Sequence, residues 1–143
     1  MPGPFISKMR MSELLSTAWE GGSNYWVEVA EYIPPEGMSM KELHAKAWEA
    51  LPAEEKEFWK TSKGVPLYAT LPFLPPSVKW KIAFKPTEDE DVAHLTPDNM
   101  RTAVERLTKK HKHIAKRIME ENYDAGDADI WLQMAIFDEV VFG

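Results

Sequence analysis

The last stretch of the chain is its strongest constraint. From Ala128 to Phe142 apolar side chains follow one another almost without a break: Ile130, Trp131, Leu132, Met134, Ala135, Ile136, Phe137, Val140 and Val141. A chain end that is free to fray is polar, small and dispensable, and this one is none of those. Apolar residues nearly all round a helix mean burial on several sides. The spacing therefore predicts a core helix from about Ala128 almost to the carboxyl terminus, with a cluster of polar groups at its amino end.

A helix buried in this way needs elements to cover it, and 143 residues suffice for one domain, 1–143, with a core that needs no staples. Residues 6–20 form a first helix, with Met11, Leu14, Leu15, Ala18 and Trp19 on one face, Ser7 or Ser12 as cap, and Gly21-Gly22 as its stop. Tyr25–Ile33 reads as a strand with Val27, Val29 and Ile33 on one face and Trp26, Glu28, Ala30 and Tyr32 on the other, closed by Pro34-Pro35. A helical insert spans about 36–62. Ser39 and Glu42 stand at capping-box spacing before Met40, Leu43, Ala47 and Leu51, and Pro52 opens a second short helix, Ala53–Lys60, with Phe58 and Trp59 as its apolar side. Thr61–Gly64 is a turn.

Two further strands are expected, at Pro66–Thr70 and Ser77–Lys85. In the second, Val78, Trp80, Ile82 and Phe84 alternate with Lys79, Lys81, Ala83 and Lys85, giving one buried face and one basic, wet face. The linker 71–76 is too proline-rich for regular structure, and its apolar residues fold back on the domain. Glu88–Asp91 is an exposed acidic loop. Thr96-Pro97-Asp98 starts a long helix to about Glu120, ended by Asn122 and Gly126. The expected class is α+β, a small antiparallel sheet packed against that long helix and the buried terminal one.

Composition excludes several chemistries. The absence of cysteine rules out disulfides, thiolate metal sites and a cysteine nucleophile. The formal charge of −6 disfavours general affinity for nucleic acid. No run reaches the roughly 20 apolar residues of a membrane span, and Met1–Phe5 lacks the apolar core of a secretion signal. A soluble protein of the cytoplasm is the expectation. The six tryptophans anchor a core or a binding surface.

Asp124, Asp127 and Asp129 gather carboxylates in one turn. A calcium loop of the EF-hand type would need a bidentate Glu at position 135, which holds Ala, and the step from Asp124 to Asp127 is wrong for it. Capping explains the cluster better, with Asp127 as cap and Asp129 in the first turn. No metal site or cofactor is expected: His111 and His113 diverge on a helix, and His44 and His94 stand alone. No nucleophile elbow, phosphate-binding glycine loop or H-E-x-x-H occurs. Glu20, before Gly21-Gly22, is a carboxylate at the unfavourable end of a helix dipole, so a specific partner is expected for it. The run 109–117 places Lys112 and Lys116 one turn apart. Those two with Lys79, Lys81 and Lys85 make an alternative, nucleotide- or nucleic-acid-binding face.

The two ends, Glu20-Gly21-Gly22-Ser23-Asn24-Tyr25-Trp26 together with Glu121–Ala125, Asp129–Gln133 and Phe137–Gly143, resemble a widespread group of small uncharacterised bacteriophage and prophage proteins. Their pattern is E-G-G-x-x-Y-W near the amino end and D-x-x-L-Q-x-x-x-F-G-E-V-V-Y-G at the close. Asp138 stands where that pattern has glycine, and Phe142 where it has tyrosine. The resemblance implies a phage origin and a host cytoplasm, not a reaction. It also implies that the first helix-to-strand turn packs on the start of the last helix, drawing Glu20, Asn24, Tyr25, Trp26, Asp124, Asp129 and Gln133 around one pocket or interface. The function expected is that of a non-enzymatic accessory protein that binds a host or defence protein. A small enzyme using Glu20 and the Asp124–Asp129 turn as acid-base groups is a third reading.

Overall fold

The computed structural model describes residues 6–60, 65–87 and 91–143. The turn expected at Thr61–Gly64, the residues Met1–Phe5 and most of the acidic loop (Glu88, Asp89 and Glu90) lie outside them. The order is α1 (Lys8–Thr17), a π-helical turn (Ala18–Gly22), β1 (Val27–Ile33), α2 (Met40–Ala50), α3 (Ala53–Trp59), α4 (Leu67–Thr70), a 3₁₀ turn (Leu71–Phe73), β2 (Lys81–Pro86), β3 (Ala93–Leu95), α5 (Pro97–Lys110), α6 (Lys112–Met119) and α7 (Ala125–Phe137). The class is α+β. The three strands lie antiparallel in the order β1-β2-β3, and β3 contacts α7.

Local capping chemistry sets several helix starts. Ser7 accepts from the Arg10 amide, Ser39 and Glu42 close a reciprocal capping box, and Thr96 accepts from the Asn99 amide before Pro97. Such caps satisfy amides that have no partner inside the helix. The core threads the whole architecture: Leu14 and Leu15 of α1, Leu43 of α2, Ile82 and Phe84 of β2, Leu107 of α5, Ile118 of α6, and Trp131 and Leu132 of α7 are all closed to solvent. Trp26, Trp80 and Trp131 are fully buried. Truncating one such tryptophan typically costs about 3–5 kcal/mol.

Several expectations are corrected. Pro66–Thr70 is not a strand but the short helix α4. The Ala69 carbonyl there accepts from Ser12 Oγ at 2.6 Å, and Tyr68 stacks on Trp19 with ring centroids 4.7 Å apart, so packing against α1 and the π turn overrides the strand preference of Tyr and Thr. The third strand is β3 instead. The long helix 97–120 is broken at His111, whose φ of −140° and ψ of 65° are not helical. Leu107 and Ile114 sit seven residues apart, two helical turns, so the apolar stripe reads straight through the break. The chain after Met119 ends in a Schellman motif, Glu121 N–H to Ile118 O and Asn122 N–H to Arg117 O, with Glu121 at φ 61°. Gly126 is therefore not a terminator but lies in α7.

In β1 the alternation is also shifted. The register with β2 slips between Val27 and Val29, a bulge that places one extra residue in β1. Val27, Ala30 and Tyr32 then pack on the core, while Val29 is 51% exposed. In α3 Phe58 is 68% exposed rather than packed. The alternation expected over Ser77–Lys85 holds, with Trp80, Ile82 and Phe84 inward and Lys81 and Lys85 outward, but the strand itself begins only at Lys81.

The last helix runs over Ala125–Phe137, starting earlier and ending sooner than its apolar content suggests. Its cap is Asp124, not Asp127: Asp124 Oδ1 accepts from the Asp127 amide at 2.8 Å, and Asp127 Oδ2 accepts from the Asp124 amide at 3.3 Å. It stops at Asp138, at φ 61°, and the chain folds back so that the Phe142 ring stacks on Trp26 at 5.0 Å, nearly parallel. Among the described residues, no helix is long and apolar enough to cross a membrane.

Candidate functional site

The turn between the first helix and β1 lies directly on the start of α7. Adding one residue to the last turn of the first helix makes it π-helical, with the Ser23 amide bonded to the Ala18 carbonyl five residues back. Single π turns of this kind recur at functional sites. The backbone approaches α7 so closely at Gly22 that a Cβ there would collide with the Ala125 carbonyl oxygen. Glycine at that point is a packing requirement. The amides of Trp26 and Val27 both bond to the Ser23 carbonyl, a tight turn that gathers the side chains of Ser23, Tyr25 and Trp26 on one side.

Those three side chains converge on Asp129. Its Oδ1 accepts from Ser23 Oγ and from Trp26 Nε1, each at 2.7 Å. Its Oδ2 accepts from the Tyr25 hydroxyl at 2.6 Å and from Gln133 Nε2 at 3.0 Å. Asp129 is 4% exposed, and among the described residues it has no ion-pair partner. Four neutral donors thus hold a buried carboxylate, and their bonds to a charged acceptor are stronger than neutral ones. Tyr25 has a single hydroxyl hydrogen, which goes to the carboxylate. Desolvation, and after it the neighbouring Asp129 carboxylate, pushes the Tyr25 phenol up to about 12.

Gln133 stands one turn after Asp129 and turns the network outward to the tail. Its Oε1 accepts from the amides of Val141 and Phe142, both at 2.8 Å, while Nε2 also donates to the Phe142 carbonyl at 3.0 Å. The side-chain amide imitates a backbone rung and pins residues 141–142 over Trp26. Asp127, also buried, faces the other way, where Arg117 of α6 donates to both its oxygens at 2.7 and 2.6 Å. The Arg117 guanidinium holds the Asp127 carboxyl below the ordinary aspartate value.

The expected site residues thus divide. Tyr25, Trp26, Asp129 and Gln133 form one bonded network, and Asp124 adjoins it as the cap of α7. Glu20 is not part of it: the residue is exposed, and its charge acts on Tyr68, whose ring stacks with Trp19 beside Tyr32. Burial first, and then Glu20, pushes the Tyr68 phenol up to about 12. Asn24 is exposed and lines a cleft of about 280 Å³ with Trp19, Val27, Glu28 and Ala30, floored by Phe84 and Leu132.

The five lysines fall in separate places. Lys81 and Lys85 are exposed on β2, whereas Lys79 pairs with Asp98 at 3.6 Å. Lys112 and Lys116 rim a shallow groove on α6, with His113 and Met119, that no sheet residue lines. Sequence reasoning missed Ser23, Phe142 and the Arg117–Asp127 pair. Ser23 lies inside the stretch Glu20–Trp26, and its place there is the one signal in the sequence that points to it. Comparison with known protein families, curated proteins and solved structures finds no match to this chain.

Proposed function

We propose that the protein works by binding another protein, without catalysing a reaction, and that the partner is a host or defence component met in a phage-infected cell. The observation that carries this reading is the engagement of the site's two buried carboxylates: Asp129 accepts four donors, and both oxygens of Asp127 hold Arg117. An acid-base group needs a free oxygen within reach of a substrate. Apolar side chains are meanwhile presented around the network, with Tyr25 54%, Val141 45% and Val140 38% exposed. Tyrosine with aliphatic neighbours is the composition of a protein-binding surface. The phage setting rests on the resemblance of the two chain ends, and the bend at Asp138 agrees with it, since φ 61° suits the glycine of that pattern. Affinity capture of the full chain from infected cells tests the reading. A stoichiometric protein partner is the expected result, and its absence would sink the idea.

A second reading, nucleotide or nucleic-acid binding, draws on the exposed Lys81 and Lys85 of the wet sheet face, with His94 next to Ala83 between them. Binding through these groups would weaken steeply with salt and vanish on charge reversal of the two lysines.

A further inference from the structure

We propose that the outer edge of β1 is a docking strand, to which an extended segment of a partner protein, alternating basic and apolar side chains, adds as a fourth strand. The inference rests on the protein-binding reading and names the form and charge of what is bound.

The first support is backbone valence. In the order β1-β2-β3 both outer strands have a free side, but β3 is three residues long and β1 is seven. Among the described residues, the backbone of 28–33 has no hydrogen-bond partner apart from its ladder with β2. Such an edge is a template for an incoming strand, with main-chain bonds supplying affinity and side-chain pockets supplying specificity. The second support is a pocket in the right place. The cleft of about 280 Å³ opens beside the first half of β1, between the strand and the π turn, with Phe84 and Leu132 at its floor. It takes one apolar side chain of an added strand.

Charge selects the occupant. Glu28 and Glu31 are exposed on β1, and neither is in an ion pair among the described residues. A second copy of this chain pairing β1 against β1 would bring these carboxylates close together, which is destabilising. A basic segment whose lysines lie on the face of Glu31 meets these carboxylates directly, with Lys81 and Lys85 one strand further in on that face, and its apolar side chains then lie on the opposite face, toward the cleft beside Ala30 and Phe84. The bulge at Glu28 and the two glutamates also discourage indiscriminate edge pairing.

The test uses a seven-residue peptide of alternating Val and Lys, acetylated and amidated, titrated into the isotope-labelled full chain. Two controls accompany it: the same peptide with Glu for Lys, and one with Pro for Val, which keeps the charge but cannot form the ladder. The expected result is amide shifts and slowed hydrogen exchange confined to residues 27–33 and the cleft. Both controls, and the surface double variant Glu28→Lys/Glu31→Lys, should bind weaker on the order of tenfold or more. Unfolding midpoints confirm that the variant folds. Equal binding of the proline peptide, shifts centred elsewhere, no binding, or indifference to the double variant would each overturn the proposal. A captured partner that the double variant still retains sinks the docking strand but leaves the protein-binding reading. No captured partner sinks that reading.

Discussion

The indole Nε1 of Trp26 donates to Oδ1 of Asp129 at 2.7 Å, across 103 residues of sequence. This bond ties the turn before β1 to the second turn of α7, and both partners are buried. Asp129→Asn keeps the shape but replaces one accepting oxygen by a donating amide, which faces donors already in place. A loss of about 2–3 kcal/mol is expected, the scale of hydrogen bonds to a charged group. Urea unfolding followed by tryptophan fluorescence measures it, and an unchanged midpoint would show that the network is dispensable.

The two neighbouring glycines should behave oppositely. Gly22→Ala forces its Cβ into the Ala125 carbonyl oxygen, and overpacking of this kind costs about 1–3 kcal/mol. Gly21→Ala meets nothing within 4 Å and should be neutral or slightly stabilising, by up to about 1 kcal/mol. Paired thermal melts settle the contrast. Equal effects would mean that the close approach of the turn to α7 does not hold in solution.

Gln133 is the clasp of the tail. Gln133→Leu removes the acceptor of the Val141 and Phe142 amides and one donor to Asp129, for a loss of about 1–3 kcal/mol. Residues 139–143 should also become accessible to carboxypeptidase, because Phe142 loses its seat on Trp26. A tail that resists trimming as well as the parent chain does would contradict the clasp.

Alkaline pH should loosen both the Asp129 network and the Trp19 stack. The phenols of Tyr25, Tyr32 and Tyr68 stand at about 12 in the fold against an ordinary 10, in each case chiefly through desolvation. A raised pKa means that the fold favours the protonated phenol, so the associated stability is fully present below pH 10 and is lost as pH rises toward 12. Tyr25→Phe should flatten part of that fall. Asp127 works in the opposite sense: held below 3.8, chiefly by the bonds from Arg117, it contributes stability above that pH that is lost as acid protonates it. Urea midpoints across pH 2–4 and 9–12 check both limbs.

Asp138→Gly should raise stability by up to about 1 kcal/mol, since the left-handed conformation strains any residue with a Cβ. Its side chain reaches Arg106 and Lys110 only at 3.7 Å and is well exposed, and pairs of that kind contribute little. A lowered melting temperature would show that these pairs outweigh the strain.

What could be read in the amino-acid order is what a few consecutive residues settle among themselves. Ser39 with Glu42, and Thr96 with Pro97, satisfy helix amides within one turn, so those starts are written locally. The alternation of Trp80, Ile82 and Phe84 marked β2 because a strand buries every second residue. The meeting of the Glu20–Trp26 turn with α7 was reached only through the pattern of the chain ends, and Glu20 itself is exposed and takes no part in the bonds to Asp129.

The remainder was decided at long range. Asp124 and Asp127 are both fit to cap, and the choice followed from where Arg117 arrives to occupy Asp127. Pro66–Thr70 became helical because the Tyr68 ring finds Trp19 on the π turn and the Ala69 carbonyl finds Ser12 on α1. The break at His111 and the bulge in β1 have no local mark, since each is a response to what the flanking residues must bury. Asp129 is the clearest case. Its donors Ser23, Tyr25 and Trp26 lie 103 to 106 residues away, so nothing in its own neighbourhood told a buried, bonded carboxylate from an ordinary first-turn aspartate. Short-range hydrogen bonding is legible in sequence because its partners are adjacent. Burial and long-range bonding exist only once the chain has closed upon itself.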